Sequence, residues 1–270
     1  MLRSLKDLER YKVKATDGDI GHAENFLVDD ERWVVRYLVV ETKGFLNGTQ
    51  VLISPISISD AQWPAKIIQL ALTKQKVIDS PGIDVDQPVS RQQEALQSRY
   101  YGYPAYWGYT GGLWGMGPYP SLLRTDSWRD TTPETDPQDF GDVHLRSAKE
   151  ATGYLVEGND GAIGHVADFI VDDETWAVRY LIVDTSNWWV GKKVALAPQW
   201  ASRIDWDRRQ VRVDMSRQAI KDSPTWPGPG AVNREYEELL FAHYGLPSYW
   251  AIRANPEVAL RTIPRAAPPA

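Results

Sequence analysis

The sequence predicts a mainly β protein built as two small antiparallel β-barrels, each followed by a short C-terminal helix. Three observations carry this. First, residues 17–37 read DGDIGHAENFLVDDERWVVRY and residues 160–180 read DGAIGHVADFIVDDETWAVRY, an offset of 143 (160 − 17). The same offset, with no gap, superposes Leu2-Arg3-Ser4 on Leu145-Arg146-Ser147 and Tyr101-Gly102-x-Pro104-x-Tyr106-Trp107 on Tyr244-Gly245-x-Pro247-x-Tyr249-Trp250. A unit of roughly 100 residues is therefore duplicated whole, which is domain scale rather than the period of a solenoid. Second, short β-rich runs alternate with tight-turn signals; third, helical patterning is confined to the end of each copy. The units fall at 1–107 and 144–250, with a linker at 108–143 and a tail at 251–270.

Within the first copy, Tyr11–Ala15 and Ile20–Val28 are strand-like runs joined through Asp17-Gly18, the dipeptide that accepts positive φ in a tight hairpin. Asp160-Gly161 does the same in the second. Gly21 and Gly164 fall inside the next strand, where glycine marks a bulge or a sharp bend. Asp29-Asp30-Glu31 then turns the chain into Val34–Thr42, apolar on both faces apart from Arg36. A further hairpin through Lys43–Gln50 leads to Val51–Pro55, and Lys66–Leu72 supplies another strand before Ser80-Pro81. Five or six such strands with no helix between them suit a small barrel, whose closure removes sticky edges.

The end of each copy is helical. Ser90-x-x-Gln93 resembles a capping box that opens a helix through about Arg99, and Asn233 caps the counterpart through about His243. Gly102 and Gly245 stop these helices, and Pro104 and Pro247 oppose their resumption, so each following Tyr-Trp pair is expected on a stiff, extended segment. Residues 108–143 are rich in Gly, Pro, Thr and Asp and read as a linker, with a reach of roughly 30–35 Å if fully flexible. Residues 251–270 read as a frayed tail.

The formal charge of −6 argues against a protein that holds nucleic acid by neutralising phosphates. With no cysteine there is no disulfide, thiolate metal site or thiol nucleophile, which suits a reducing compartment. The longest apolar run, around Val34–Val40, is interrupted by Arg36 and falls far short of the ~20 residues of a membrane span. A soluble, cytoplasmic chain is expected.

The Asp-Gly hairpin, Ile-Gly-x-x-x-x-Phe-x-Val-Asp-Asp, Val-Arg-Tyr-Leu-Val-Val-Glu-Thr and the Val-Leu-Ile-Ser-Pro strand together resemble the PRC-barrel domain, at about 2–81 and again at 145–224. That family includes the cytoplasmic part of the photosynthetic reaction-centre H subunit and a ribosome maturation factor. The helix ending in Tyr-Gly-x-Pro-x-Tyr-Trp resembles the extension of bacterial stand-alone members. The resemblance implies an adaptor barrel that binds proteins or RNA–protein assemblies and holds no catalytic group.

The residues themselves offer few chemical constellations. His22 and His165 follow the bulge glycines, but neither has a histidine or cysteine at ligand spacing, so both are read as structural. Asp29-Asp30-Glu31 and Asp172-Asp173-Glu174 lack the alternate spacing of an EF-hand and are read as turn residues. Arg36 and Arg179, set among aliphatics, each need an acidic partner, from a turn acid or from Glu41 and Asp184. No catalytic, cofactor-binding or metal site is expected.

The unusual feature is 12 Trp and 13 Tyr against 5 Phe, since amphipathic rings are enriched at interfaces. Phe45-Leu46 and its equivalent Trp188-Trp189 place apolar bulk on a connection, as a lid or a sticky patch. With Tyr106, Trp107, Tyr249 and Trp250 these are the candidate partner-binding residues. The expected function is a non-enzymatic interaction adaptor with protein partners, self-association included and direct nucleic-acid contact excluded. The alternatives are a ribosome- or RNA-processing-associated assembly factor and a photosynthetic complex assembly protein.

Overall fold

A computed structural model of the chain describes residues 1–30, 32–42, 50–81, 89, 91–103, 145–185 and 192–254. It is mainly β. The first copy contains β1 (Leu2–Ser4), α1 (Leu5–Leu8), β2 (Lys12–Ala15), β3 (Gly18–Asp29), β4 (Val34–Glu41), β5 (Gln50–Ile53), β6 (Ile58–Gln62), β7 (Ile67–Leu70), α2 (Lys74–Ile78) and α3 (Arg91–Tyr101). The second contains β8 (Leu145–Ser147), α4 (Ala148–Ala151), β9 (Leu155–Gly158), β10 (Gly161–Asp172), β11 (Val178–Asp184), β12 (Lys193–Leu196), β13 (Ala201–Asp205), β14 (Gln210–Val213), α5 (Arg217–Asp222), α6 (Arg234–Tyr244) and α7 (Tyr249–Ala254). No helix among the described residues is long and apolar enough to cross a membrane.

The repeated dipeptides have a double use. Gly18 and Gly161 turn the hairpins with φ of 138° and 130°. The aspartate before each accepts a hydrogen bond from the first residue of a short helix: Lys74 N donates to Asp17 Oδ1 at 2.8 Å, and Arg217 N to Asp160 Oδ1 at 2.7 Å. Gly21 and Gly164 permit close approach, because a Cβ there would sit 1.8 Å from the Glu41 carbonyl oxygen and 2.1 Å from that of Asp184. Four helices of one turn or slightly more, α1, α2, α4 and α5, are too short to write a 3.6-residue period and go unanticipated by the sequence.

Each sheet runs as an open path, β5-β4-β3-β2-β7-β6 in the first and β12-β11-β10-β9-β14-β13 in the second. The expectation of purely antiparallel pairing needs one correction. β2 pairs parallel with β7, and β9 with β14. The pairings require it: β5 and β6 run the same way, joined at the 3₁₀ corner Pro55–Ser57, so the meander has an odd number of reversals between β2 and β6 and one more to β7. β4 is buried on both faces, with Val35, Leu38 and Val40 in the main core and Tyr37 and Val39 in a smaller cluster with Leu27, Leu52, Val89 and Leu145.

The copies are not self-contained. The N-terminal strand of each crosses to the other: β1 pairs with β10, Leu2 opposite Asp172, and β8 pairs with β3, Leu145 opposite Asp29. The main core is accordingly continuous through both copies. Where the sheets meet, Val35 N donates to Trp176 O at 2.9 Å and Val178 N to Trp33 O at 2.8 Å, around a bridge between Val34 and Ala177. Both tryptophans hold positive φ, 52° and 62°, which costs a residue with a Cβ roughly 1–2 kcal/mol. Their burial offsets that cost, and Trp176 also stacks on Phe26 of the other copy at 6.4 Å.

Trp176→Ala is therefore expected to cost about 3–5 kcal/mol in a denaturant titration. Trp176→Gly, which relieves the left-handed backbone, should be no worse than the alanine variant despite losing one more carbon. A larger loss in the glycine variant would contradict the packing assigned to this turn.

Candidate functional site

The seam between the copies gathers Arg3, Ser4 and Asp30 and their equivalents Arg146, Ser147 and Asp173. Ser4 and Ser147 close the exchanged strands and cap the helices behind them, accepting from Asp7 N at 3.0 Å and Glu150 N at 2.9 Å. Each serine then meets the other copy. Asn25 Nδ2 donates to Ser147 Oγ at 2.9 Å, and Asn25 Oδ1 accepts from Phe26 N at 2.7 Å and Lys149 N at 3.2 Å. At the equivalent position Asp168 accepts from Ser4 Oγ, from Phe169 N at 2.7 Å and from Lys6 N at 3.2 Å. Burial raises the Asp168 carboxyl above its ordinary value, against the lowering effect of these donors.

The paired acids of the Asp-Asp turns are used by arginines. Arg36, 3 % exposed, reaches Asp29 Oδ2 through Nε at 3.2 Å and Nη2 at 3.1 Å, with Asp29 itself 1 % exposed. Arg179 Nη2 donates to Asp172 at 3.3 Å. Burial opposes the charge on Asp172, but Arg179, the amides of Glu174 and Thr175 and the amino terminus outweigh it and hold the carboxyl below its ordinary value. The second acid pairs across the seam, Asp173 with Arg3 at 2.9 Å and with the Met1 amino group, and Asp30 with Arg146 at 3.4 Å. The same arginines lie over their own copy's tryptophan, Arg3 on Trp63 at 4.4 Å and Arg146 on Trp206 at 4.7 Å. An acidic partner from the turn for Arg36 and Arg179 is thus the arrangement present.

His22 stands opposite Glu41 in the β3–β4 ladder, and His165 opposite Asp184 in β10–β11. His22 Nε2 is 2.9 Å from Glu41 Oε2 and 3.9 Å from Glu24 Oε2. Glu24 also pairs with Lys149 of the other copy, whose hydrogen bond is the chief cause of its lowered pKa. Glu24 is the extra residue of a bulge, since Ala23 pairs with Val40 and Asn25 with Val39.

Of the candidate partner-binding residues, Phe45, Leu46, Tyr106, Trp107, Trp188 and Trp189 lie outside the described residues. Tyr249 and Trp250 are placed, and not as expected. They open helix α7 instead of an extended segment, because Ser248 supplies a cap, accepting from Ala251 N at 3.3 Å. Both are half-buried on their own copy: Trp250 meets Phe241 edge-on at 5.4 Å and lies under Arg234 at 3.8 Å, while Arg179 covers Tyr249 at 4.2 Å. Glu237 Oε1 accepts from Tyr180 at 2.7 Å and Tyr249 at 3.0 Å, tying α6 and α7 to the sheet. Burial, followed by the Glu237 charge, pushes the Tyr249 hydroxyl up to about 12.

Sequence reading missed Glu24 and Glu41 as partners of His22, and Asn25 and Asp168 as partners of the other copy's serine. The i, i+2 spacing of His22 and Glu24 was the available signal for the histidine; the seam contacts had none, since they join copies. No protein-family model and no curated protein matches the chain.

Asp168→Asn should raise stability at neutral pH. A raised folded-state pKa means that the protonated carboxyl favours folding below the unfolded-state value and that this contribution is lost as pH rises through the folded-state value. Asparagine, already used at position 25 with a serine partner, never carries the charge. The variant's advantage in thermal midpoint should shrink as pH falls into the carboxylate range; an advantage that grows on acidification would contradict the burial assigned to Asp168.

Proposed function

We propose that the chain is a non-enzymatic protein-interaction module, a tandem adaptor of the PRC-barrel kind that presents two like faces to a protein partner. The observation that carries this reading is a repeated exposed leucine. Among the described residues the large apolar side chains left in solvent are Met1, Leu96 at 48 % and Leu239 at 58 % exposure. The two leucines occupy the same position of the repeat (239 − 96 = 143) on α3 and α6.

One exposed leucine is ordinary on any protein surface. The same one held twice is different, because each helix is anchored. Tyr100 OH donates to Lys76 O at 2.8 Å and Tyr103 bonds Ser57 at 2.7 Å beside α3, while Glu237 holds α6 to Tyr180. Since the exchanged strands join the sheets, the two contact points keep a fixed separation. Binding at one then raises the effective concentration at the other. The net charge of −6 favours a protein surface over a phosphate backbone as the partner. The six-strand path of each sheet, with its Asp-Gly hairpin and a proline-led 3₁₀ corner at Pro55 and Pro198, supports the PRC-barrel likeness.

Leu96→Glu and Leu239→Glu should each leave the denaturation midpoint within about 0.5 kcal/mol of the parent, as exposed positions do. Partner proteins cross-linked to the intact chain at both α3 and α6 should be retained by it, weakened by ~10²-fold or more in each single variant and lost in the double variant. Undiminished retention by the double variant would rule out these faces.

A further inference from the structure

We propose that His22, Glu24 and Glu41 form a site for a single borderline divalent cation, of the Zn²⁺ or Co²⁺ class, on the first copy alone. The three side chains arise from two strands. His22 and Glu24 stand two positions apart on β3, and Glu41 is the ladder partner of His22 on β4. Gly21 lets the strands come close at this point, where any Cβ would strike the Glu41 carbonyl, and the bulge at Glu24 re-aims its side chain.

The ligand atoms, one nitrogen and two carboxylate oxygens, lie within 4.8 Å of one another. A cation with bonds of about 2.0–2.2 Å places its ligands about 3.3 Å apart, so Glu41, already 2.9 Å from His22 Nε2, has to open slightly while Glu24, at 3.9 Å, draws in. Half-buried side chains on a fixed backbone can make that adjustment by rotation. Imidazole with two carboxylates selects Zn²⁺, Co²⁺ or their neighbours over Ca²⁺ and Mg²⁺, which take oxygen ligands alone. Three protein ligands leave the remaining positions to water. Lys149, on the exchanged segment of the other copy, bonds the second oxygen of Glu24 and fixes its direction.

The second copy supplies an internal comparison. It retains His165 and has Asp184 opposite, but alanine occupies position 167, the equivalent of Glu24. One carboxylate is missing there, so one cation per chain is expected.

The test is calorimetric titration of the full chain, first stripped with chelator, with ZnCl₂, and in parallel with CoCl₂ followed by visible absorption. One equivalent is expected per chain, with binding weakened at least ~10-fold in each of His22→Gln, Glu24→Gln and Glu41→Gln. His165→Gln should bind as the parent does, and far-ultraviolet circular dichroism should show every variant folded. Absence of Zn²⁺ and Co²⁺ binding by the parent, or binding that survives His22→Gln unchanged, would overturn the site.

Discussion

The structure depends on the reciprocal addition of Leu2–Ser4 to β10 and of Leu145–Ser147 to β3. A three-residue strand has too few ladder bonds to hold its place alone. Its neighbours fix it instead: a serine that caps the following helix and bonds the other copy, an arginine paired with the far Asp-Asp turn, and, beyond the ladders, the crossed backbone bonds at Trp33 and Trp176. Neither sheet is complete without the other copy, so the duplication is a property of one folded body.

Against that shared frame the copies differ in telling places. Residues that set the backbone recur: Asp17 and Asp160, Gly21 and Gly164, and tryptophan at 33 and 176 with φ above 50°. Other differences are confined to side chains: Asn25 stands for Asp168, and Glu24 for Ala167. Each leaves the fold alone and changes local charge, which is how a duplicated unit acquires a site on one side only. The Glu24 difference is the one with a chemical consequence, since it brings a second carboxylate to His22.

Much of the fold was legible because it is local. Asp-Gly marks a hairpin, Gly21 a close approach, Asn233 a helix start and Gly245, with φ 64°, its end. The strand exchange was not legible, for a plain reason: Leu-Arg-Ser occurs in both copies and faces near-identical edges, so no residue says which one it joins. The parallel ladder escaped because strand direction follows from counting reversals around the whole sheet, not from any one segment. Pro247 reads in the sequence as a helix breaker, but it precedes a serine cap and so sits just ahead of a new helix, where proline is well tolerated. Most of the candidate aromatic residues fall outside the described residues, and the exposed leucine pair gains meaning only once both helices are seen docked.

The exchange is tested most directly by cutting the chain between the copies. A specific protease site placed within 108–143 of the full chain, cleaved under native conditions, leaves two fragments that each contain one donated strand. Native mass spectrometry should then find both fragments in one particle of the parent mass, with a single unfolding transition. Fragments that separate at micromolar concentration and unfold independently would contradict a body held together by the exchanged strands.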